Sequence, residues 1–221
     1  MDISVLNLLD LSHTLAGDYL KGFEYPWEAL KGIKDLILSL EEELDREEFY
    51  LYPGSEDVWI AKDAVIFSNA NISGPAIIGH RTQVRPGAFI RGSALVGDDC
   101  VVGNSTELKN VILFDHVQVP HYNYVGDSLL GYKAHMGAGS ITSNVKSDKT
   151  LVAVKDGEFR YETGLKKFGA VLGDRVEVGC NSVLNPGTII GRDTSIYPLS
   201  SVRGVIGSCK IYKGADNIVS K

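Results

Sequence analysis

Aliphatic residues recur through the middle of the chain at a constant spacing of six. The first run is unbroken and consists of Ile60, Ile66, Ile72, Ile78, Val84, Ile90, Val96, Val102 and Leu108. Each of the first eight is followed, four positions later, by a small or compact residue, so two inward positions recur in every six-residue unit. A period of six describes a short strand and a corner that repeat. The pattern predicts a parallel β-helix built from hexapeptides.

The six-residue pattern restarts three times after breaks in register. Its later anchors are Leu113, Val119 and Val125, then Leu130 and Met136, then Leu172, Val178, Leu184, Ile190, Ile196 and Val202. Three hexapeptides make one triangular coil, so we expect six or seven coils stacked ~4.8 Å apart. The predicted fold is mainly β, with the β-helix over residues 51–207 and a C-terminal tail over 208–221.

Residues 1–50 follow helical spacing instead. Apolar residues three or four apart follow Pro26, namely Trp27, Leu30, Ile33, Ile37, Leu40 and Leu44. An open end of a β-helix exposes unpaired strand edges, so we expect these helices to cap it. Docking of another protein is the alternative, and the pattern does not separate the two.

The register is interrupted over about 144–169. Alternating residues flank Asp156-Gly157, a pair typical of a tight hairpin turn. We expect a loop with a β-hairpin that projects from the coils. Long insertions into a regular stack often carry ligand contacts.

Composition limits the classes of ligand, location and cysteine chemistry that fit this chain. With 22 basic and 28 acidic residues, the net charge of −6 argues against a broad nucleic-acid surface, whereas local basic patches could bind anionic small molecules. The chain lacks 18 consecutive apolar residues and a basic signal-like start, so we expect a cytoplasmic protein without a membrane span. Cys100, Cys180 and Cys209 form no CxxC motif, which favours packing or site lining over a disulfide or zinc site.

Polar residues of chemical interest concentrate in 120–127 and 135–144. His121 occupies the third position of its hexapeptide, which points outward near a corner. The unperturbed pKa of histidine suits proton abstraction at neutral pH, so His121 is a candidate general base.

Four stretches resemble a known family in order and spacing. They are VRPGA (84–88), VGNSTELKN (102–110), PHYNYVGD (120–127) and GAGSITSN (137–144). Together they are similar to the acetyltransferase domain of the bifunctional sugar-1-phosphate uridylyltransferase and N-acetyltransferase that makes UDP-N-acetylglucosamine. The resemblance covers most of 58–207 and implies a left-handed β-helix, a homotrimer and acetyl-CoA as co-substrate, with no metal required. Residues 162–174 look more like the archaeal branch of sugar-1-phosphate acetyltransferases.

The resemblance also implies roles for nine residues. His121 would take a proton from the 2-amino group of a hexosamine 1-phosphate as that amine attacks the acetyl-CoA thioester. Substrate contacts would come from Arg85, Lys109, Tyr124, Asn144 and Lys167, and contacts to CoA from Ala138, Cys180 and Arg203. The acceptor stays open between glucosamine 1-phosphate, galactosamine 1-phosphate and a modified amino sugar. The resemblance implies an acetyl group, but the residues leave the identity of the acyl group open.

Three further expectations follow. Residues 1–50 contain no glycine-rich phosphate loop, so we expect no uridylyltransferase activity, and part of this segment could be a linker remnant. A non-catalytic trimeric scaffold that binds a sugar phosphate or a protein is one alternative function. A γ-carbonic-anhydrase-like metal site at His80, His116 and His121 is another, although their hexapeptide positions differ from that family's pattern.

Overall fold

Short parallel strands wind into a three-sided column in the computed structural model, which describes residues 1–221. The predicted fold class is confirmed: the chain is mainly β and forms a left-handed β-helix of hexapeptide repeats. The column has about nine turns. This exceeds the six or seven coils expected, and strands continue beyond Val202 as Val205–Ile206 and Lys210–Gly214.

Each side of the column is a stack of short strands. The first face contains Val58–Ala61, Ala76–Ile78, Ala94–Val96, the second halves of Glu107–Leu113 and Tyr124–Leu130, Ala170–Leu172, Thr188–Ile190 and Val205–Ile206. The second face contains Val65–Ile66, Gln83–Val84, Val101–Asn104, Gln118–His121, His135–Met136, Glu177–Val178, Ser195–Ile196 and Lys210–Gly214. The third face contains Asn71–Ser73, Phe89–Arg91, the first halves of Glu107–Leu113 and Tyr124–Leu130, Ile141–Thr142, Val183–Leu184 and Ser201–Val202.

We number the corners in chain order. The first corner joins the first and second faces, the second corner joins the second and third faces, and the third corner returns to the first face. Inside the column, equivalent anchors stack directly on one another, as Ile60 on Ile78 and Ile78 on Val96. All three are buried, and burial of such a side chain stabilises by about 1.5–3 kcal/mol.

The N-terminal helices lie along the first face and not over an open end. They comprise the α-helices Val5–Leu8, Gly17–Leu20 and Ile33–Glu43 and the 3₁₀-helices Leu11–His13 and Pro26–Gly32. The reason is an apolar stripe: the outward residues of this face, such as Ile77, Leu95 and Ile112, are aliphatic, and the helices bury them. The first strand is instead paired on its outer edge with Phe49–Leu51, antiparallel to Val58–Ala61.

The predicted hairpin is present as Val152–Asp156 paired with Phe159–Leu165. It folds back onto the third corner and does not project, because Val152 and Val154 are buried against the column. Its backbone also approaches Gly204 so closely that a Cβ there would lie 2.7 Å from the Lys155 carbonyl oxygen. The last strand, Asn217–Ser220, pairs antiparallel with Lys210–Gly214.

Two other sequence features can be located. The Cys100 side chain is buried and donates to the Phe114 carbonyl at 3.1 Å, and burial raises the pKa of this thiol. Cys180 and Cys209 are exposed, and all three cysteines are free. None of the helices has the length and apolar character needed to cross a membrane.

Adjacent coils approach so closely at Gly103 that a substitution there tests the packing of the column. A Cβ at Gly103 would overlap the Pro120 carbonyl of the next coil, although the backbone at Gly103 needs no positive φ. We expect Gly103→Ala to lower the free energy of unfolding by about 1–3 kcal/mol, as overpacking usually does. Urea denaturation measures this. Gly214→Ala is the control, because no atom lies within 4 Å of a Cβ there. Equal midpoints for the two variants would contradict the close approach.

Candidate active site

The imidazole of His121 is exposed at the second corner and has no side-chain partner. Its backbone, in contrast, is held on both sides. The His121 N–H donates to Asn123 Oδ1 at 3.1 Å, and the His121 carbonyl accepts from the Gly139 N–H at 2.9 Å. The ring is therefore presented to solvent from a fixed main chain.

Asn123 connects this corner to the next coil. Its side chain is buried, and Nδ2 donates to the carbonyl oxygens of Gly137 and Ser140 at 2.9 and 3.0 Å. The turn Gly137–Gly139 is thereby fixed beside His121. The sequence reading did not assign a role to Asn123, although this residue lies within the quoted PHYNYVGD stretch.

Ala138 lies at the apex of that turn and is half-buried. Its N–H donates no hydrogen bond within the chain, whereas its carbonyl accepts from the Asn181 N–H at 2.8 Å. Cys180 precedes Asn181 and, with Gly137 and Pro198, lines a shallow groove on the second face. Ala138 and Cys180 are therefore neighbours on adjacent coils, and the groove runs past both.

A second cluster occupies the third corner and centres on Asp127, a residue that the sequence reading missed. Its carboxylate is buried and accepts from Lys109 Nζ at 2.8 Å, from Asn110 Nδ2 at 3.0 Å and from Asn144 Nδ2 at 2.5 Å. The same Asn144 amide donates to the Tyr124 hydroxyl at 3.2 Å. Three of the predicted substrate residues, Lys109, Tyr124 and Asn144, thus meet around one carboxylate.

The charges of this cluster are partly balanced within the chain. Lys109 forms a salt bridge with Asp127, so the predicted phosphate-binding cation has a carboxylate partner in the free protein. Burial, followed by the charges of Asp127 and Glu107, raises the pKa of Tyr124. Its hydroxyl therefore stays protonated near neutral pH and can donate to a ligand.

The remaining predicted residues are divided between the corners. Arg85 lies at the second corner, where its guanidinium donates to Gln83 Oε1 at 3.1 and 3.2 Å. Lys167 is exposed. It lies beside the third corner, since the N–H of its neighbour Phe168 donates to the Asn144 carbonyl at 2.9 Å. Arg203 lies at the third corner against the hairpin, away from Ala138 and Cys180. The candidate site thus spans two corners, with the third face between them.

The histidines of the alternative metal site do not converge within the chain. His80 and His116 both lie at the first corner, where His80 Nδ1 contacts Asp63 Oδ1 at 3.0 Å and His116 lies 3.8 Å from Asp99. His121 is at a different corner. No group of three or more His, Cys, Asp or Glu side chains is placed to hold a metal ion.

Comparison with known proteins gives consistent matches. The family described as the GMPPB C-terminal domain matches residues 72–194. The bifunctional protein GlmU of Methanococcus vannielii is 35% identical over 113 residues, which cover 51% of this chain and 27% of the relative. A bifunctional sugar-1-phosphate nucleotidylyltransferase/acetyltransferase of Sulfurisphaera tokodaii is 32% identical over 156 residues, covering 71% of this chain and 39% of the relative.

These matches therefore span well under half the length of either relative. Among solved structures, a hexapeptide transferase family protein from Anaplasma phagocytophilum is 19% identical, with a TM-score of 0.49, over 79% of this chain and 84% of that one.

Proposed function

This chain belongs to the family of the GMPPB C-terminal domain, and from that premise we propose that it is an acyltransferase that moves an acetyl group from acetyl-CoA to the amine of an amino-sugar 1-phosphate. The Sulfurisphaera tokodaii relative, which is named as a bifunctional sugar-1-phosphate nucleotidylyltransferase/acetyltransferase, supports this class of substrate. Either glucosamine 1-phosphate or galactosamine 1-phosphate fits the proposal.

The observation that carries the proposal is the pairing of His121 with the Gly137–Gly139 turn. The imidazole is unpaired and exposed, while the adjacent turn offers an Ala138 N–H that is not used within the chain. The imidazole can accept a proton, and the Ala138 N–H can donate a hydrogen bond to an oxygen that develops negative charge. Acyl transfer requires both functions close together.

The proposed reaction assigns each proton and bond. The substrate amine attacks the thioester carbonyl, and His121 accepts the proton that the amine loses as the C–N bond forms. The Ala138 N–H stabilises the oxyanion of the tetrahedral intermediate. The C–S bond then breaks, and the CoA sulfur leaves and takes the proton back from His121. The groove beside Cys180 would hold the pantetheine arm.

The acceptor would lie along the third face, between His121 and the Asp127 cluster. Lys109, Tyr124 and Asn144 would contact its hydroxyl and phosphate groups, and Lys167 and Arg85 would add positive charge at the two ends. Asp127 holds Lys109 and Asn144 in place through hydrogen bonds, which reduces the freedom that these side chains lose when a ligand binds.

Assembly as a homotrimer is part of the proposal. The helices cover the first face, so the second and third faces are the ones open to a neighbouring column. The grooves of a single column are shallow, whereas clefts between packed columns enclose a ligand more fully.

The proposed function is tested by a thiol-release assay with acetyl-CoA and a panel of amino sugars, with and without a 1-phosphate. We expect CoA release with at least one hexosamine 1-phosphate and none with the corresponding N-acetylated sugar, which has no free amine. Absence of release across the whole panel would contradict the transferase and favour the scaffold alternative.

A further inference from the structure

A small cavity at the third corner is lined by four cationic side chains. It lies between the hairpin and the coil that contains Pro186, and its charged residues are Lys146, Lys155, Arg160 and Arg203. No carboxylate lines it. Four positive charges gather here although the chain as a whole carries a net charge of −6.

Two of these cations have no ionic partner. Lys146 lies 3.3 Å from Asp148, and Arg160 pairs with Glu162 at 2.6 Å. Neither of these two carboxylates lines the cavity. Lys155 and Arg203 form no salt bridge in the chain. Like charges held together without counter-charges raise the local potential, and a bound anion lowers it.

The fold brings these residues together from distant parts of the sequence. Lys155 and Arg160 sit on opposite strands of the hairpin and are directly paired in its register. The Lys155 carbonyl lies against Gly204, which places the hairpin beside Arg203. The cavity therefore exists only because the hairpin folds back onto the column.

The cavity also adjoins the candidate acceptor site. The Gly187 N–H donates to the carbonyl oxygens of Phe168 and Gly169, and the Phe168 N–H donates to the Asn144 carbonyl. Pro186 lines the cavity and directly precedes Gly187, so these hydrogen bonds connect the cavity wall to Asn144. A ligand held along the third face could extend a charged group into the cavity.

We propose that this cavity is a phosphate-binding subsite that receives a phosphate group of one of the two substrates. Its volume of about 180 Å³ is smaller than the about 300–1,000 Å³ of pockets that enclose whole small molecules, so it fits a phosphate or diphosphate group and not a nucleoside. Guanidinium groups bind phosphate oxygens in pairs, and the lysines add point charges. The proposal rests on the proposed function for the identity of the substrates.

The experiment is calorimetric binding to the full chain and to the double variant Lys155→Gln/Arg203→Gln. The ligands are CoA, pantetheine, glucosamine 1-phosphate and glucosamine, so each phosphate-bearing ligand has a phosphate-free counterpart. The control is Lys31→Gln/Lys34→Gln, which removes the same charge from exposed positions on the helical layer.

We expect the cavity variant to bind one phosphate-bearing ligand about tenfold or more weakly, with its phosphate-free counterpart and the control variant unchanged. Loss confined to CoA identifies the CoA phosphates as the occupant, and loss confined to glucosamine 1-phosphate identifies the acceptor. Any result without a phosphate-specific loss overturns the subsite, including a wild-type chain that binds neither phosphate-bearing ligand.

This binding experiment requires no turnover. A phosphate-specific loss in a protein that releases no CoA would leave the subsite intact and remove the transferase. Active transfer without a phosphate-specific loss would overturn the subsite and leave the proposed transferase function intact.

Discussion

His121→Ala is expected to lower the turnover number for acetyl transfer by about 10²-fold or more, the usual contribution of a general base. The imidazole is exposed and makes no side-chain contact, so its removal leaves the hydrogen bonds of the backbone in place. The melting temperature should therefore stay unchanged while thiol release falls. Steady-state thiol release with a saturating hexosamine 1-phosphate measures the effect.

His116→Asn is the matched control. His116 is also a partly exposed histidine at a corner of the column, and its positive φ of 61° is one that asparagine tolerates. This variant should keep wild-type turnover. Equal rates for His121→Ala and the wild type would remove His121 from the role of base.

Asp174→Ala is expected to lower the free energy of unfolding by about 3 kcal/mol, because it leaves two backbone N–H groups without their hydrogen-bond acceptor. The Asp174 carboxylate is fully buried and accepts from the backbone N–H groups of Asp10 and Tyr132, both at 2.9 Å. Arg192 Nε lies 3.1 Å away but is not aligned for a hydrogen bond. This carboxylate therefore joins the N-terminal segment to the first corner.

Thermal unfolding measures the loss, which corresponds to roughly 6–12 °C for a chain of this size. Asp193→Asn is the control, because asparagine removes the charge and tolerates the positive φ of 60° at this position. Its carboxylate pairs with Arg175 at 2.7 Å on the surface, and exposed pairs contribute up to about 1 kcal/mol. A loss for Asp174→Ala no larger than that of the control would contradict the proposed anchoring of the N-terminal segment.

The effect of Asp174 should also depend on pH. Burial raises the pKa of this carboxyl and outweighs the lowering by Arg192 and the two backbone N–H groups. Because the folded pKa is raised, the stabilisation is fully present below about pH 4, the ordinary carboxyl pKa, and declines as pH rises through the folded pKa. The difference in unfolding free energy between wild type and Asp174→Ala should be larger near pH 4 than at pH 7.

The column itself could be predicted from sequence because each inward anchor is set by a local six-residue unit. The position of the helices could not, since it depends on the outward residues of a single face. The cue was present: Ile77, Leu95 and Ile112 repeat once per coil. It becomes visible only when the outward positions are compared between coils instead of between hexapeptides.

The candidate site could be predicted only in part from the sequence. Lys109, Tyr124 and Asn144 do meet at one corner. The residue that joins them, Asp127, was missed: Asp127 and Asn110, which donates to it, both take a left-handed backbone conformation there, which the six-residue pattern does not specify. Arg203 lies away from Cys180 because Arg203 follows a third-face strand and so occupies the third corner, whereas Cys180 follows a second-face strand and occupies the second corner. The catalytic role of His121 stays a prediction.

The length of the helix Ile33–Glu43 matches the height of three coils of the column beneath it. Its eleven residues extend ~16 Å and contact the first-face strands of three successive coils, which is the number that this length covers at ~4.8 Å per coil. Solenoids commonly gain or lose repeats by duplication or deletion, because each repeat contacts only its neighbours. Here a coil inserted among these three would displace the apolar stripe relative to the helix, so the number of coils in this stretch and the length of the helix are constrained to change together.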